Sequence, residues 1–84
     1  MNYLENPESN SMVLEWTAAR AALNFNAMHR TGTLVRYWAE EKVGDPTGTA
    51  KTATAAYVFG DIVAAVCLEG VANVIPLENL EVIS

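Results

Sequence analysis

A chain of 84 residues has room for one domain and one core, and a chain of this size buries only about 60–65% of the surface that its unfolded form exposes. Its single cysteine, Cys67, cannot close an internal disulfide, and one cysteine with one histidine, His29, cannot supply the four N or S ligands of a structural zinc site. Ten acidic against five basic residues give a formal charge of −5, which repels a phosphate backbone over the whole molecule and argues against nucleic acid as the main partner.

The segment from Met1 to Asn10 is polar and carries Glu5 and Glu8, with neither the basic start nor the apolar stretch of an export signal. No later apolar run approaches the ~20 residues of a membrane span. A cytoplasmic protein without a membrane partner is expected. Asn6-Pro7-Glu8 is one helix start that the residues allow, with a side-chain cap and a proline at the first helical position; Ser11 is the competing cap. The alanine-rich run that follows predicts one helix over about Met12–His29, within 11–30, stopped by Gly32.

At 100° per residue this helix has two apolar stripes. Leu14, Ala18, Ala21, Phe25 and Met28 form one and Met12, Trp16, Ala19, Leu23 and Ala27 the other; the second is one candidate outer face with the first toward the sheet, and the residues leave the choice between them open. Polar residues such as Asn26 fill the seams between them. A helix apolar on opposite sides has two surfaces to cover, and a second subunit is the expected cover for one of them.

After the helix, β-branched and aromatic residues punctuated by glycine predict short antiparallel strands. These are Thr33–Trp38, Lys51–Phe59, Ile62–Leu68, Val71–Ile75 and, beyond a single helical turn at Leu77–Asn79, Leu80–Ile83. Ala39–Gly48 reads as the longest loop, Gly60-Asp61 as a tight hairpin turn and Glu69-Gly70 as another, while Pro76 ends the fourth strand. The third strand is apolar on both faces, Ile62, Ala64, Val66 and Leu68 against Val63, Ala65 and Cys67, so both faces should be covered. The fold class is α+β: one domain over 1–84, with a polar segment at 1–10, the helix, and over 33–84 a five-stranded antiparallel SH3-like barrel or strongly bent sheet.

The stretch Val74-Ile75-Pro76-Leu77-Glu78-Asn79-Leu80-Glu81-Val82-Ile83 resembles the closing hairpin of SH3-like barrels, and in particular that of the plasmid-borne type II dihydrofolate reductases. That family binds folate and NADPH through a Val-Gln-Ile-Tyr stretch, where this chain has Asn73-Val74-Ile75-Pro76, so the resemblance implies the barrel and not the activity. A longer segment, from Gly32-Thr33-Leu34-Val35-Arg36-Tyr37-Trp38 through Gly60 and Leu68-Glu69-Gly70 to the end, is similar to small uncharacterised proteins of phages and mobile gene cassettes, which implies a mobile origin. A helix before five strands is also similar to Sm-like proteins, whose Asp-x-x-x-Asn RNA-binding stretch has no counterpart here.

Few residues invite chemistry. His29, a histidine and so the general-base candidate by residue type, is expected rather to complement the helix end beside Arg30. Cys67 sits in an apolar run and is expected to be a buried small hydrophobe. Arg36 and Trp38 alternate with Tyr37 on one strand and so share a face, a usable platform for an anion or flat ring and equally a subunit contact. Glu40, Glu41 and Asp45 crowd one loop without the spacing of a calcium site and are read as solvated.

The reading is a non-catalytic module, a dimer or tetramer of itself, that binds a small molecule or protein at the subunit seam. Arg36, Tyr37, Trp38, Trp16 and His29 are its candidate ligand or interface residues, with no metal or cofactor. The alternative is a small enzyme whose active site is shared between symmetric subunits.

Overall fold

The structure is a computed structural model of the chain and describes residues 7–60 and 62–83, with helix side chains described from Thr17 onward. Helix α1 spans Pro7–Met28, so it begins before the predicted Met12 and takes in residues 7–10 of the segment read as a polar lead-in. Proline suits the first helical position because its fixed φ is already helical and its missing N–H has no partner there. The Asn6 cap lies outside the described residues, as do the side chains of Met12, Leu14 and Trp16.

Six strands follow: β1 (Leu34–Tyr37), β2 (Gly48–Lys51), β3 (Tyr57–Phe59), β4 (Val63–Val66), β5 (Ile75–Pro76) and, after a 3-10 turn at Leu77–Asn79, β6 (Leu80–Val82). They form two three-stranded antiparallel sheets, ordered β2-β1-β6 and β3-β4-β5. The fold is α+β, with six strands in two small antiparallel sheets where five strands were expected. Gly60 and Gly70, at φ of 62° and 76°, stand in the left-handed region in the two expected turns, where a side chain would be strained; Asp61, the other residue of the first turn, lies outside the described residues.

The predicted strand Lys51–Phe59 keeps only its ends: β3 is its last three residues, residues 52–56 lie between strands, and β2 shares only Lys51 with it and begins at Gly48, the last residue of the predicted loop. Thr52 is 1% exposed, and its hydroxyl accepts hydrogen bonds from the Gly32 and Thr33 N–H groups at 2.9 and 3.1 Å. At the other end of the break the Asn26 side chain accepts from the Ala56 N–H at 2.7 Å and donates to the Ala56 carbonyl at 2.9 Å. Backbone groups satisfied this way do not need a neighbouring strand, so the chain can leave one sheet and enter the other. The two sheets also meet at this corner, where Thr52 and Leu68 form an isolated antiparallel bridge and the Ala53 N–H donates to the Cys67 carbonyl at 2.8 Å.

The predicted strand Val71–Ile75 is reduced to β5, Ile75–Pro76, and Pro76 is its last residue. Because β5 is a sheet edge, one side of it has no ladder to complete, which is where proline is tolerated.

The core is a cluster of Val35, Val66, Leu68, Ile75 and Leu80, with Phe25, Tyr37 and Leu77 packed against it. Both sheets and the helix therefore contribute to one apolar centre. Ala18, Ala22, Ala56 and Ala65 are buried outside that cluster, and α1 packs on β3 and β4. Small side chains allow the helix to lie close to the sheet. The buried helix residues Ala18 and Ala22, with Phe25 and His29 half-buried, differ from the stripe read toward the sheet: Ala21 and Met28 are exposed, Met28 at 76%. The contact face is turned by part of a residue spacing toward Ala22 and Asn26, because Asn26 must reach Ala56. On the opposite stripe Leu23 and Ala27 are exposed and Ala19 half-buried.

Within β4, Ala65 and Val66 are covered by the protomer itself, at 1% and 0% exposed, whereas Val63 and Ala64 are half-buried and Ile62 beside them is 53% exposed. Asn26→Ala is expected to lower the unfolding free energy by about 2 kcal/mol, since it leaves the part-buried N–H and carbonyl of Ala56 both without partners. Urea denaturation checks this, and Asn26→Asp, which keeps only an acceptor, should fall between it and the wild type.

Candidate functional site

Two places on the surface gather the residues that could bind something. The first surrounds the end of β1. Arg36 stands directly across from Glu81 in the β1–β6 register, and its Nη1 lies 3.4 Å from Glu81 Oε1. The other oxygen of the same carboxylate is 3.3 Å from Lys42 Nζ, and that ammonium sits 5.2 Å from the centre of the Trp38 ring. The cation over the indole is thus Lys42 from the loop, not Arg36 from the strand. The reason is register: Arg36 is drawn across the sheet to Glu81, and Trp38 lies past the last residue of β1, where strand alternation no longer sets its direction.

Trp38 is 8% exposed and its Nε1 donates to the Gly44 carbonyl at 3.1 Å. Its backbone N–H donates to the Asn79 carbonyl at 2.9 Å, and the Asn79 side chain donates to the Glu40 carbonyl. At the far end of the loop the Thr47 hydroxyl accepts from the Ala39 N–H at 2.8 Å. The predicted loop is therefore pinned at both ends and in the middle, around a tryptophan whose face is already occupied. Tyr37 points the other way, half-buried against the core. Glu40, Glu41 and Asp45 are exposed, and among the described residues no three of His, Cys, Asp and Glu gather as a metal site.

His29 follows the last helical residue, and its ring packs against Phe25 with centroids 4.9 Å apart. Its place at the helix end is the expected one, with Phe25 as its ring neighbour. Cys67 is half-buried rather than buried, with Sγ 3.5 Å from the Tyr57 hydroxyl. That hydrogen bond, then partial burial and the charge of Cys67, raise the Tyr57 phenol above its ordinary value. Trp16 lies within α1, and its side chain is outside those described.

The second place is a groove of about 250 Å³ between α1 and the second sheet, lined among the described residues by Ala18, Ala21, Ile62, Val63, Leu77 and Glu78 together with their immediate neighbours. Its walls are mostly apolar, and among the described residues Glu78 is the one ionised lining group, with Thr17 the other polar one. Phe59 stands beside it, paired with Val63 in the β3–β4 register. Phe59 and Ile62 are 51% and 53% exposed. Sequence reading missed this groove because it joins a helix face to a turn about 40 residues away. It also passed over Lys42, Glu81 and Asn26, whose partners become visible only when strands and helix are paired.

Comparison with family models, with curated proteins and with solved structures returns no match. Among the described residues no helix is long and apolar enough to cross a membrane.

Trp38→Phe is expected to cost about 1 kcal/mol through the lost bond to Gly44, and hydrogen exchange of residues 39–47 should quicken. Glu81→Gln, which affects only exposed ion pairs, should cost less than about 1 kcal/mol and lose even that in salt. In an ultraviolet titration Tyr57 should ionise at higher pH than a free tyrosine, and Cys67→Ala should bring its midpoint back down. A raised folded-state value means that any stability linked to Tyr57 is present below the ordinary tyrosine range and lost as pH rises through the folded value.

Proposed function

We propose that this chain is a non-catalytic interaction module that works as a homo-oligomer, a dimer or tetramer, with its binding surface at the seam between copies. The observation that carries this reading is the set of large apolar side chains exposed among the described residues, Leu23 and Met28 on α1 at 70% and 76% and Phe59 and Ile62 at the β3–β4 turn at 51% and 53%.

Side chains that could do chemistry are engaged in structural roles, which supports a module over an enzyme. His29 rests on Phe25, Cys67 meets Tyr57, and Arg36 pairs with Glu81. In the same reading the two sheets, joined at Thr52 and Leu68 and with the last strand interrupted by a 3-10 turn, form a partly open SH3-like barrel. The likeness of the strand region to small proteins of phages and mobile gene cassettes belongs to this proposal, as do a cytoplasmic location and the exclusion of nucleic acid on grounds of charge.

Sedimentation equilibrium at micromolar concentration tests the assembly. A mass of two or four times the 9.1 kDa protomer is expected, and a lone protomer would overturn the reading.

A further inference from the structure

Among the described residues, the bonds that tie the loop over Trp38 to a distant part of the chain end on Asn79 and Glu81. The Trp38 N–H donates to the Asn79 carbonyl at 2.9 Å, the Asn79 side chain donates to the Glu40 carbonyl, and Lys42 Nζ lies 3.3 Å from Glu81 Oε2. Asn79 thus commits both its backbone and its side chain to the loop. Other bonds of the loop stay within it or return to its own base, such as Trp38 Nε1 to the Gly44 carbonyl, the Ala39 N–H to the Thr47 hydroxyl and the Thr47 N–H to the Tyr37 carbonyl.

The segment that receives these bonds is a weakly held part of the first sheet. β6 is three residues long and lies at the edge, with β1 as its one strand neighbour. Beyond it the Ile83 N–H donates to the Leu34 carbonyl at 3.0 Å. Its grip on the core is Leu80, with Val82 packed against the same cluster. Proteins open locally in contiguous cooperative units, and edges with few buried apolar contacts open at lower free energy than the core does. The exposed ion pair to Glu81 adds little to such a hold. The two bonds of Asn79 are therefore what couples the loop to the edge strand.

We infer that the loop over Trp38 and the segment 79–83 open and close as one unit, a gate with Asn79 as its latch, while the corner at Thr52 and Leu68 stays closed. The gate covers the Trp38 ring, 8% exposed when shut, and the edge of β1 to which β6 pairs. Both become accessible together or not at all. This device lies within one protomer and does not depend on how the copies assemble.

Native-state hydrogen exchange, under conditions where each amide reports its opening equilibrium, tests the coupling from both sides. Asn79→Ala removes the side-chain bond to Glu40 and keeps the backbone bond. Exchange of the Trp38 and Ala39 amides in the loop and of the Ile83 amide should quicken by one common factor of about fivefold, which corresponds to the net strength of an ordinary hydrogen bond. The Ala53 and Glu69 amides, bonded across the corner to the Cys67 and Lys51 carbonyls, should keep their wild-type rates, and the far-ultraviolet circular dichroism should be that of the wild type. Val82→Ala loosens β6 without touching the loop, and it should quicken Trp38 and Ala39 by the same factor as Ile83.

If Asn79→Ala quickens the loop amides and leaves Ile83 at its wild-type rate, the loop opens alone and the inference fails. It fails as well if Asn79→Ala quickens neither, since Asn79 is then no latch, or if Val82→Ala quickens Ile83 alone. Equal quickening of Ala53 and Glu69 in either variant also overturns it, because the opening is then the unfolding of the whole chain.

Discussion

Two three-stranded sheets share one small apolar centre, and most of the structure answers to that constraint. Val35 and Leu80 come from one sheet, Val66 and Ile75 from the other, and Leu68 from the corner where they join. Neither sheet has enough apolar surface to bury by itself, since isolated sheets of this size are marginal in water. The chain must therefore pass from one sheet to the other while both faces of the cluster stay closed. It does so at residues 52–56, where polar side chains take over backbone groups that a continuous strand would have paired.

Those substitutes come from distant parts of the chain. The Thr52 hydroxyl holds the segment that leaves the helix, and Asn26 holds the entry to β3. The rotational setting of α1 follows from the second of these bonds, because Asn26 can reach Ala56 only if Ala18 and Ala22 turn inward. Ala21 then lines the groove beside Leu77 and Ile62. A single amide thus links the bend in the sheet, the helix face that is buried and the recess that is left on the surface.

The charged groups do different work. Glu81 receives Arg36 across the sheet and Lys42 from the loop, and Lys42 covers the indole that the loop encloses. Exposed ion pairs of this kind add little energy. The Trp38 ring and its bond to Gly44 anchor the loop, and the charges shield the ring's outer face. This region thus holds the loop in place.

What the residues alone determined is what local chemistry decides. Alanine-rich sequence makes the helix, glycine makes the turns at 60 and 70, and Leu77–Asn79 makes a helical turn between short strands, so the α+β class and most strand centres were legible. Pairing decided the rest. That residues 52–56 interrupt the predicted strand Lys51–Phe59 depends on Asn26 and Thr52 finding backbone partners that lie 19 to 30 residues away. Which stripe of α1 is buried depends on the same bonds, because a helix apolar on two sides carries no local preference between them. The pairing of Arg36 and Trp38 as face-mates was a statement about one strand, and it yielded to Glu81 and Lys42 once the sheet brought other chain segments beside them. Periodicity states what a segment could bury; only the packed chain decides what it does bury and what it leaves for a partner.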